Sequence, residues 1–159
     1  MNARINAFAV FKGVALDLYE KIDKNKPLDT FNVIIAFVVN GSLACELGIK
    51  AILAENDYQE RKGHDLKKLF DELDEITRNF IKENMPSLKP NEEGLEEFDS
   101  LLVEVSKNFV EWRYYYEKDI KTNWLFIYEL ICAFDRYFNG DNFLKYLKEK
   151  IKKHVVDSL

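Results

Sequence analysis

The segment from Phe31 to Glu55 is apolar on nearly every side of the helix that its spacing predicts. A helix of this kind has to be covered by other elements, because apolar surface is costly to expose to water. Between Val33 and Leu53, the apolar pattern is interrupted at Asn40, Gly41, Ser42, Glu46 and Lys50. With these interruptions it does not match a membrane span of about 20 apolar residues. We therefore expect one long central helix inside a helical bundle, and no membrane partner.

Helical periodicity continues on both sides of this central segment. Apolar residues recur every three or four positions, which predicts four more long helices at about Ile5–Ile22, Glu92–Lys118, Trp124–Phe138 and Phe143–Val155. A short helix is expected to begin near Asp65, and another to run to about Met85. No segment shows sustained strand alternation. The sequence therefore predicts an all-α fold, an antiparallel up-and-down bundle of four to five main helices plus short helices, in one domain spanning residues 1–159.

Charge and cysteine usage limit the classes of function. A formal net charge of −5 lacks the basic excess of a protein that holds nucleic acid chiefly through phosphates, so any such contact would be local. Cys45 and Cys132 fall in apolar helical patterns, and we expect two reduced, buried thiols in a cytoplasmic protein. Glycine-rich phosphate loops and zinc-ligand spacings are absent from the sequence, so we expect no metal and no cofactor.

Glu46 and Lys50 are four residues apart in the central helix, the spacing at which a carboxylate meets an amine one turn later. Their stripe also carries apolar residues, so the carboxylate should lie close to packed surface and need a further partner. Arg113 is the natural candidate, because a guanidinium stays charged and can bind a carboxylate with two prongs. Alternatively, Arg113 faces a ligand or partner, or Glu117 pairs with it one turn later and leaves Glu46 to Lys50.

His64 stands in the segment Gly63-His64-Asp65-Leu66, where a short helix is expected to start. Asp65 has the right side chain and position to cap that helix, and Gly63 supplies backbone freedom for the turn. For His64 we weigh a structural hydrogen bond that fixes the loop against contact with a ligand or a catalytic role.

Aromatic residues complete the candidate site. Tyr114, Tyr115 and Tyr116 are consecutive, so at most one or two of them can share a surface, and packing is favoured over stacking on a base. The candidates for a ligand site or polar groove are therefore Glu46, Lys50, His64, Asp65, Arg113, Tyr116 and Glu117. Catalytic candidates are confined to Arg113 and His64.

Three segments carry these residues in order: Ser42–Leu53, Lys62–Phe70 and Phe109–Glu117. Together they resemble the HEPN superfamily of small all-helical prokaryotic proteins, over roughly Phe31 to Phe138. The resemblance implies a four- or five-helix bundle that often forms a symmetric dimer. It also implies one of three roles. Some members are ribonucleases of toxin and antiphage systems, and others are noncatalytic partners or nucleotide-binding modules.

The chain departs from the ribonuclease members at one motif. In those members an arginine is followed four to six residues later by a histidine, and the two copies of this motif, one from each subunit, face each other across the dimer. None of the five arginines here has a histidine at that distance. The usual general acid or base for phosphodiester cleavage is therefore missing. We expect a noncatalytic HEPN-like interaction module, a homodimer or the partner of a nucleotidyltransferase-type or other protein, in a stress-response, toxin–antitoxin or antiphage context.

Two alternatives remain open from the sequence. In the first, the chain is an unconventional metal-independent endoribonuclease, in which His64 and Arg113 converge and Glu46 orients one of them. In the second, it binds a nucleotide, with phosphate held by Lys50, His64 and Arg113 while a tyrosine stacks on the base. The first alternative requires RNA as a substrate and the second a nucleotide as a ligand.

Overall fold

The computed structural model describes residues 3–55, 62–88, 92–106 and 123–156, with side-chain surroundings left undescribed at 92–96 and 153–156. Seven α-helices lie in these ranges, and a single 3-10 turn, Pro27–Thr30, precedes the second. They are α1 (Ala3–Glu20), α2 (Phe31–Glu55), α3 (Leu66–Asp71), α4 (Glu75–Glu83), α5 (Glu92–Val105), α6 (Trp124–Phe138) and α7 (Asn142–Val156). All regular structure in the described ranges is helical, which confirms the all-α prediction.

Helix α2 lies at the centre of the bundle and packs against α1, α3 and α6. By length and composition alone, the segment Pro27–Glu55 could cross a membrane, with a mean hydropathy of 1.7 over its most apolar window. However, 56% of that window is buried inside the protein. Its apolar surface is therefore covered largely by the other helices, as expected of a central core helix.

Two glycines let α2 and α6 approach closely. A Cβ atom added at Gly41 would lie 2.7 Å from Cγ2 of Ile127. A Cβ atom at Gly48, two turns later, would lie 3.1 Å from Cδ2 of Phe134 and 3.2 Å from Cδ2 of Phe8. The glycines are therefore required by packing at the helix crossing rather than by an unusual backbone conformation.

Aromatic contacts fix the direction of α1 against α6. Phe8, near the start of α1, lies 5.2 Å from Phe138 at the end of α6, measured between ring centroids. Tyr19, near the end of α1, stacks on Tyr128 at 3.8 Å. The two helices therefore run antiparallel, with buried and half-buried rings along their contact.

Helix α5 is shorter than its periodicity predicts. The sequence predicts one helix from Glu92 to Lys118, but α5 ends at Val105, and residues 107–122 lie outside the described ranges. The contacts of Ser106 account for the end of α5 at Val105. The Ser106 hydroxyl donates to the carbonyl of Leu102 at 2.6 Å and accepts from the backbone N–H of Lys67 at 2.8 Å. A serine side chain that bonds the backbone competes with the helical pattern, and here it also ties α5 to the start of α3.

The two cysteines are both free thiols but differ in burial. Cys45 is fully buried, as predicted, and its Sγ points to the carbonyl of Ile127 at 3.9 Å. Cys132 is only half-buried, so the prediction of a second buried thiol is wrong. It lies on α6 beside the Tyr128 hydroxyl, at the margin of the core rather than within it. Burial raises the pKa of both thiols, which lowers the reactive thiolate fraction at a given pH.

We expect Cys132 to react with iodoacetamide well before Cys45 in the folded protein, because only Cys132 is accessible to the reagent. Since burial raises the pKa of the Cys132 thiol, its labelling rate should keep rising with pH above about 8.5, the usual cysteine value. Intact-mass spectrometry over time measures both phases. The Cys132→Ser variant should lose the fast phase, and labelling of Cys45 first would contradict the packing described.

Candidate functional site

Glu46 is a buried carboxylate in the middle of α2. Its residue is 3% exposed, in a helix whose neighbouring positions Cys45 and Ile49 are completely buried. A charge in such surroundings is stable only when other groups bond to it. The partners of Glu46 therefore define the site.

Lys50 is the first of these partners. Its Nζ donates to Oε1 of Glu46 at 2.8 Å, which confirms the ion pair predicted from the four-residue spacing. The Lys50 side chain is 22% exposed, so the ammonium stays in reach of water while its stem packs along the helix. The nucleotide-binding alternative requires the Lys50 ammonium to bind a phosphate. In the structure this ammonium is instead bonded to the Glu46 carboxylate.

His64 is the second partner of Glu46. Its Nδ1 lies 3.0 Å from Oε1 and 3.0 Å from Oε2 of the carboxylate. Because an ionised carboxylate only accepts hydrogen bonds, Nδ1 carries the hydrogen and donates it. The contact joins the chain before α3 to the middle of α2, across 18 residues of sequence. This is the loop-fixing hydrogen bond that the sequence left open for His64.

The backbone at residues 63–65 places the imidazole over Glu46. Gly63 has a φ of 123°, a conformation that side-chain-bearing residues rarely adopt, so the predicted glycine turn is confirmed. Asp65 follows as the N-cap of α3, and its side chain accepts from the backbone N–H of Lys68 at 3.1 Å. The predicted cap is therefore also confirmed. His64 is held between a turn and a helix start, which fixes the origin of its side chain.

Replacing Asp65 by alanine is expected to lower the free energy of unfolding by about 1 kcal/mol, because the N–H of Lys68 loses its acceptor. Asp65→Asn should retain most of that stability, since asparagine caps helices about as well. Urea denaturation followed by circular dichroism measures both variants. Equal losses in the two variants would show that the charge of Asp65, and not its capping hydrogen bond, contributes the stability.

The arrangement has a defined chemical capacity. Glu46 occupies Nδ1 of His64, so proton transfer by this imidazole would have to use Nε2, and Glu46 would act as a positioning residue. The His64 side chain is 59% exposed, so the ring edge away from Glu46 is near the surface. Among the described residues, no group of three or more His, Cys, Asp and Glu side chains is placed to hold a metal ion.

Three of the candidate residues, Arg113, Tyr116 and Glu117, lie outside the described ranges. The link between Glu46 and Arg113 therefore stays a prediction, as does the pairing of Arg113 with Glu117. The side chain of His154, the other histidine in the sequence, is also undescribed. The described part of the site consists of Glu46, its two partners and the cap at Asp65.

A second buried carboxylate escaped the sequence analysis. Glu129 of α6 is 6% exposed and accepts from the backbone N–H of Ser87 at 3.2 Å and from the Ser87 hydroxyl. The sequence does contain a signal for this residue, because Glu129 interrupts the apolar run from Trp124 to Phe134 in the same way that Glu46 interrupts α2. Its partners are a serine and a backbone amide, so this carboxylate anchors the chain after α4 to α6.

Comparison with known proteins places the site in a family. The HEPN domain model matches residues 36–124, more than half of the 159-residue chain. The matched range begins in α2, includes Glu46, Lys50, His64 and Asp65, and ends at the start of α6. No curated protein and no solved structure shows a significant match. The chain belongs to the HEPN domain family.

Proposed function

We propose that this protein is a noncatalytic HEPN interaction module that works as a homodimer in a prokaryotic stress-response, toxin–antitoxin or antiphage setting. Membership of the HEPN family supports the module itself, since such domains often serve in these settings. In this role the bond from His64 to Glu46 holds α2 to the chain before α3, and Lys50 compensates the carboxylate within α2. Together the three residues shape a polar surface for a partner protein. A nucleotidyltransferase-type protein would be one such partner.

The observation that carries this proposal concerns the histidines. The chain has two, His64 and His154, and neither follows an arginine by four to six residues. His64 is also committed through Nδ1 to a buried carboxylate, a contact that serves the fold directly. The imidazole that the family's ribonucleases use after their arginine therefore has no counterpart at that position in this sequence.

Sedimentation equilibrium of the purified chain tests the dimer. We expect a mass of twice the 18.7 kDa of one chain across the micromolar range. A mass of 18.7 kDa throughout that range would contradict the homodimer. The measured mass does not depend on any chemistry at His64. If the protein proves to be a monomer, the noncatalytic assignment can still be tested separately by RNA cleavage.

The contact between His64 and Glu46 favours one second candidate. A carboxylate that holds Nδ1 of an imidazole fixes its ring and tautomer, which is the support that a general acid or base requires. The candidate is an unconventional metal-independent endoribonuclease in which His64 acts with Arg113. It predicts RNA cleavage that is lost when either residue is replaced, whereas the interaction module predicts no cleavage by the unaltered protein.

A further inference from the structure

A cavity of about 370 Å³ opens to the surface between α4, α6 and α7, and its walls include none of the residues around Glu46. Its inner side is aromatic. The buried ring of Phe80 meets the ring of Tyr146 edge to face, with 5.2 Å between centroids. The volume lies near the lower end of the roughly 300–1,000 Å³ range of small-molecule sites, so the cavity suits a small ligand.

Two cations stand on its walls. Arg136 of α6 donates from Nη1 to the backbone carbonyl of Asn84 at 3.1 Å and to its Oδ1 at 3.4 Å. These bonds position the guanidinium and leave its other N–H groups without a partner among the described residues. Lys145 of α7 is exposed, and its ammonium forms no hydrogen bond or ion pair with any residue that the structure describes. Neither cation forms an ion pair with a described carboxylate.

The carboxylates nearby do not cancel this charge. Among the described residues, Glu149 is the one acidic residue that lines the cavity. Glu83, at the neighbouring surface, already accepts from the hydroxyl of Tyr146 at 3.1 Å and from Nζ of Lys150 at 3.0 Å. The described lining residues therefore carry two positive charges and one negative charge, on a protein whose formal net charge is −5.

We propose that this cavity binds a small organic anion that carries a planar apolar group. The anionic group would lie between Arg136 and Lys145, because a phosphate or carboxylate is the natural acceptor for their unshared N–H groups. The planar group would pack against the half-buried ring of Tyr146, since aromatic rings pack on one another face to edge or with an offset. The side-chain amides of Asn84 and Asn142 lie on the same walls, where they donate to the backbone carbonyls of Phe80 at 2.8 Å and Asn139 at 3.3 Å, so their NMR signals report on a bound ligand.

Titration of the ¹⁵N-labelled full chain, followed by NMR, tests the proposal with three probes: phenyl phosphate, inorganic phosphate and benzyl alcohol. Phenyl phosphate should shift the side-chain amide signals of Asn84 and Asn142 saturably. Benzyl alcohol, which has only the ring, and inorganic phosphate, which has only the anion, should each bind at least about tenfold more weakly than phenyl phosphate, since each lacks half of the contacts. Benzoate in place of phenyl phosphate distinguishes a carboxylate ligand from a phosphate ligand.

The matched variants are Lys145→Glu and Lys148→Glu, which make the same change of charge one turn apart on α7. Both lysines are exposed, but only Lys145 lines the cavity. We expect Lys145→Glu to weaken phenyl phosphate about tenfold or more, and Lys148→Glu to weaken it by about twofold or less. Equal weakening in both variants would overturn the proposal in favour of general charge attraction. Equal binding of benzyl alcohol or inorganic phosphate, or no saturable binding of either aryl anion, would also overturn it.

Discussion

Lys50→Met is expected to lower the free energy of unfolding by about 3 kcal/mol, because it removes the ammonium that pairs with a buried carboxylate. Methionine keeps the packing of the lysine stem but cannot donate to Glu46, which is 3% exposed. Among the described residues, His64 would then be the remaining partner of the charge, from a side chain that is 59% exposed. Chemical denaturation with a fitted two-state transition measures the change.

Lys67→Met is the matched control for this prediction. Lys67 also pairs with an acid four residues away, with its Nζ 2.6 Å from Oδ1 of Asp71, but the Asp71 side chain is 49% exposed. A surface pair of this kind contributes about 0.5 kcal/mol or less. The double variant Glu46→Gln/Lys50→Met should recover part of the lost stability, since a neutral amide is cheaper to bury. Equal, small losses for Lys50→Met and Lys67→Met would contradict a buried charge at Glu46.

Gly48→Val is expected to destabilise the bundle by about 3 kcal/mol through overpacking where α2 crosses α6. Even a Cβ atom at this position would lie 3.1 Å from Phe134 and 3.2 Å from Phe8, and valine adds two methyl groups beyond it. Both rings are buried at 2% exposure or less and touch each other edge to face, so neither has space to move. Thermal and urea denaturation should both show the loss.

Gly13→Val supplies the control for this substitution. Gly13 also lies within a helix, but a Cβ atom there would meet nothing within 4 Å. Valine has a slightly higher helix propensity than glycine, so the change in stability should stay within about 0.5 kcal/mol. If Gly13→Val and Gly48→Val cost the same, the effect would come from the backbone and not from the packing of α2 against α6.

Sequence periodicity was sufficient for the helices whose apolar face is long. Helix α2 runs from Phe31 to Glu55, as its pattern predicts, and α6 runs from Trp124 to Phe138. The pattern failed at the end of α5, because Ser106 is bonded both within α5 and to Lys67 of α3. That second contact spans 39 residues, and no local periodicity contains it.

The candidate site was predictable only where its contacts are local. The pair of Glu46 with Lys50 and the cap at Asp65 each depend on residues three or four positions apart, so spacing alone predicts them. The contact between Glu46 and His64 depends on how the chain returns to α2 after its end at Glu55. The sequence suggested that Glu46 orients either His64 or Arg113, but spacing could not choose between them.

The assignment as a noncatalytic module is tested most directly by incubating purified protein with a mixed RNA pool beside the His64→Ala and Arg113→Ala variants. The stability of each variant is measured first, so that loss of fold is not mistaken for loss of chemistry. We expect no cleavage above that of a mock purification at any concentration of the unaltered protein. Cleavage by the unaltered protein that disappears in both folded variants would contradict the assignment and establish a ribonuclease built on these two residues.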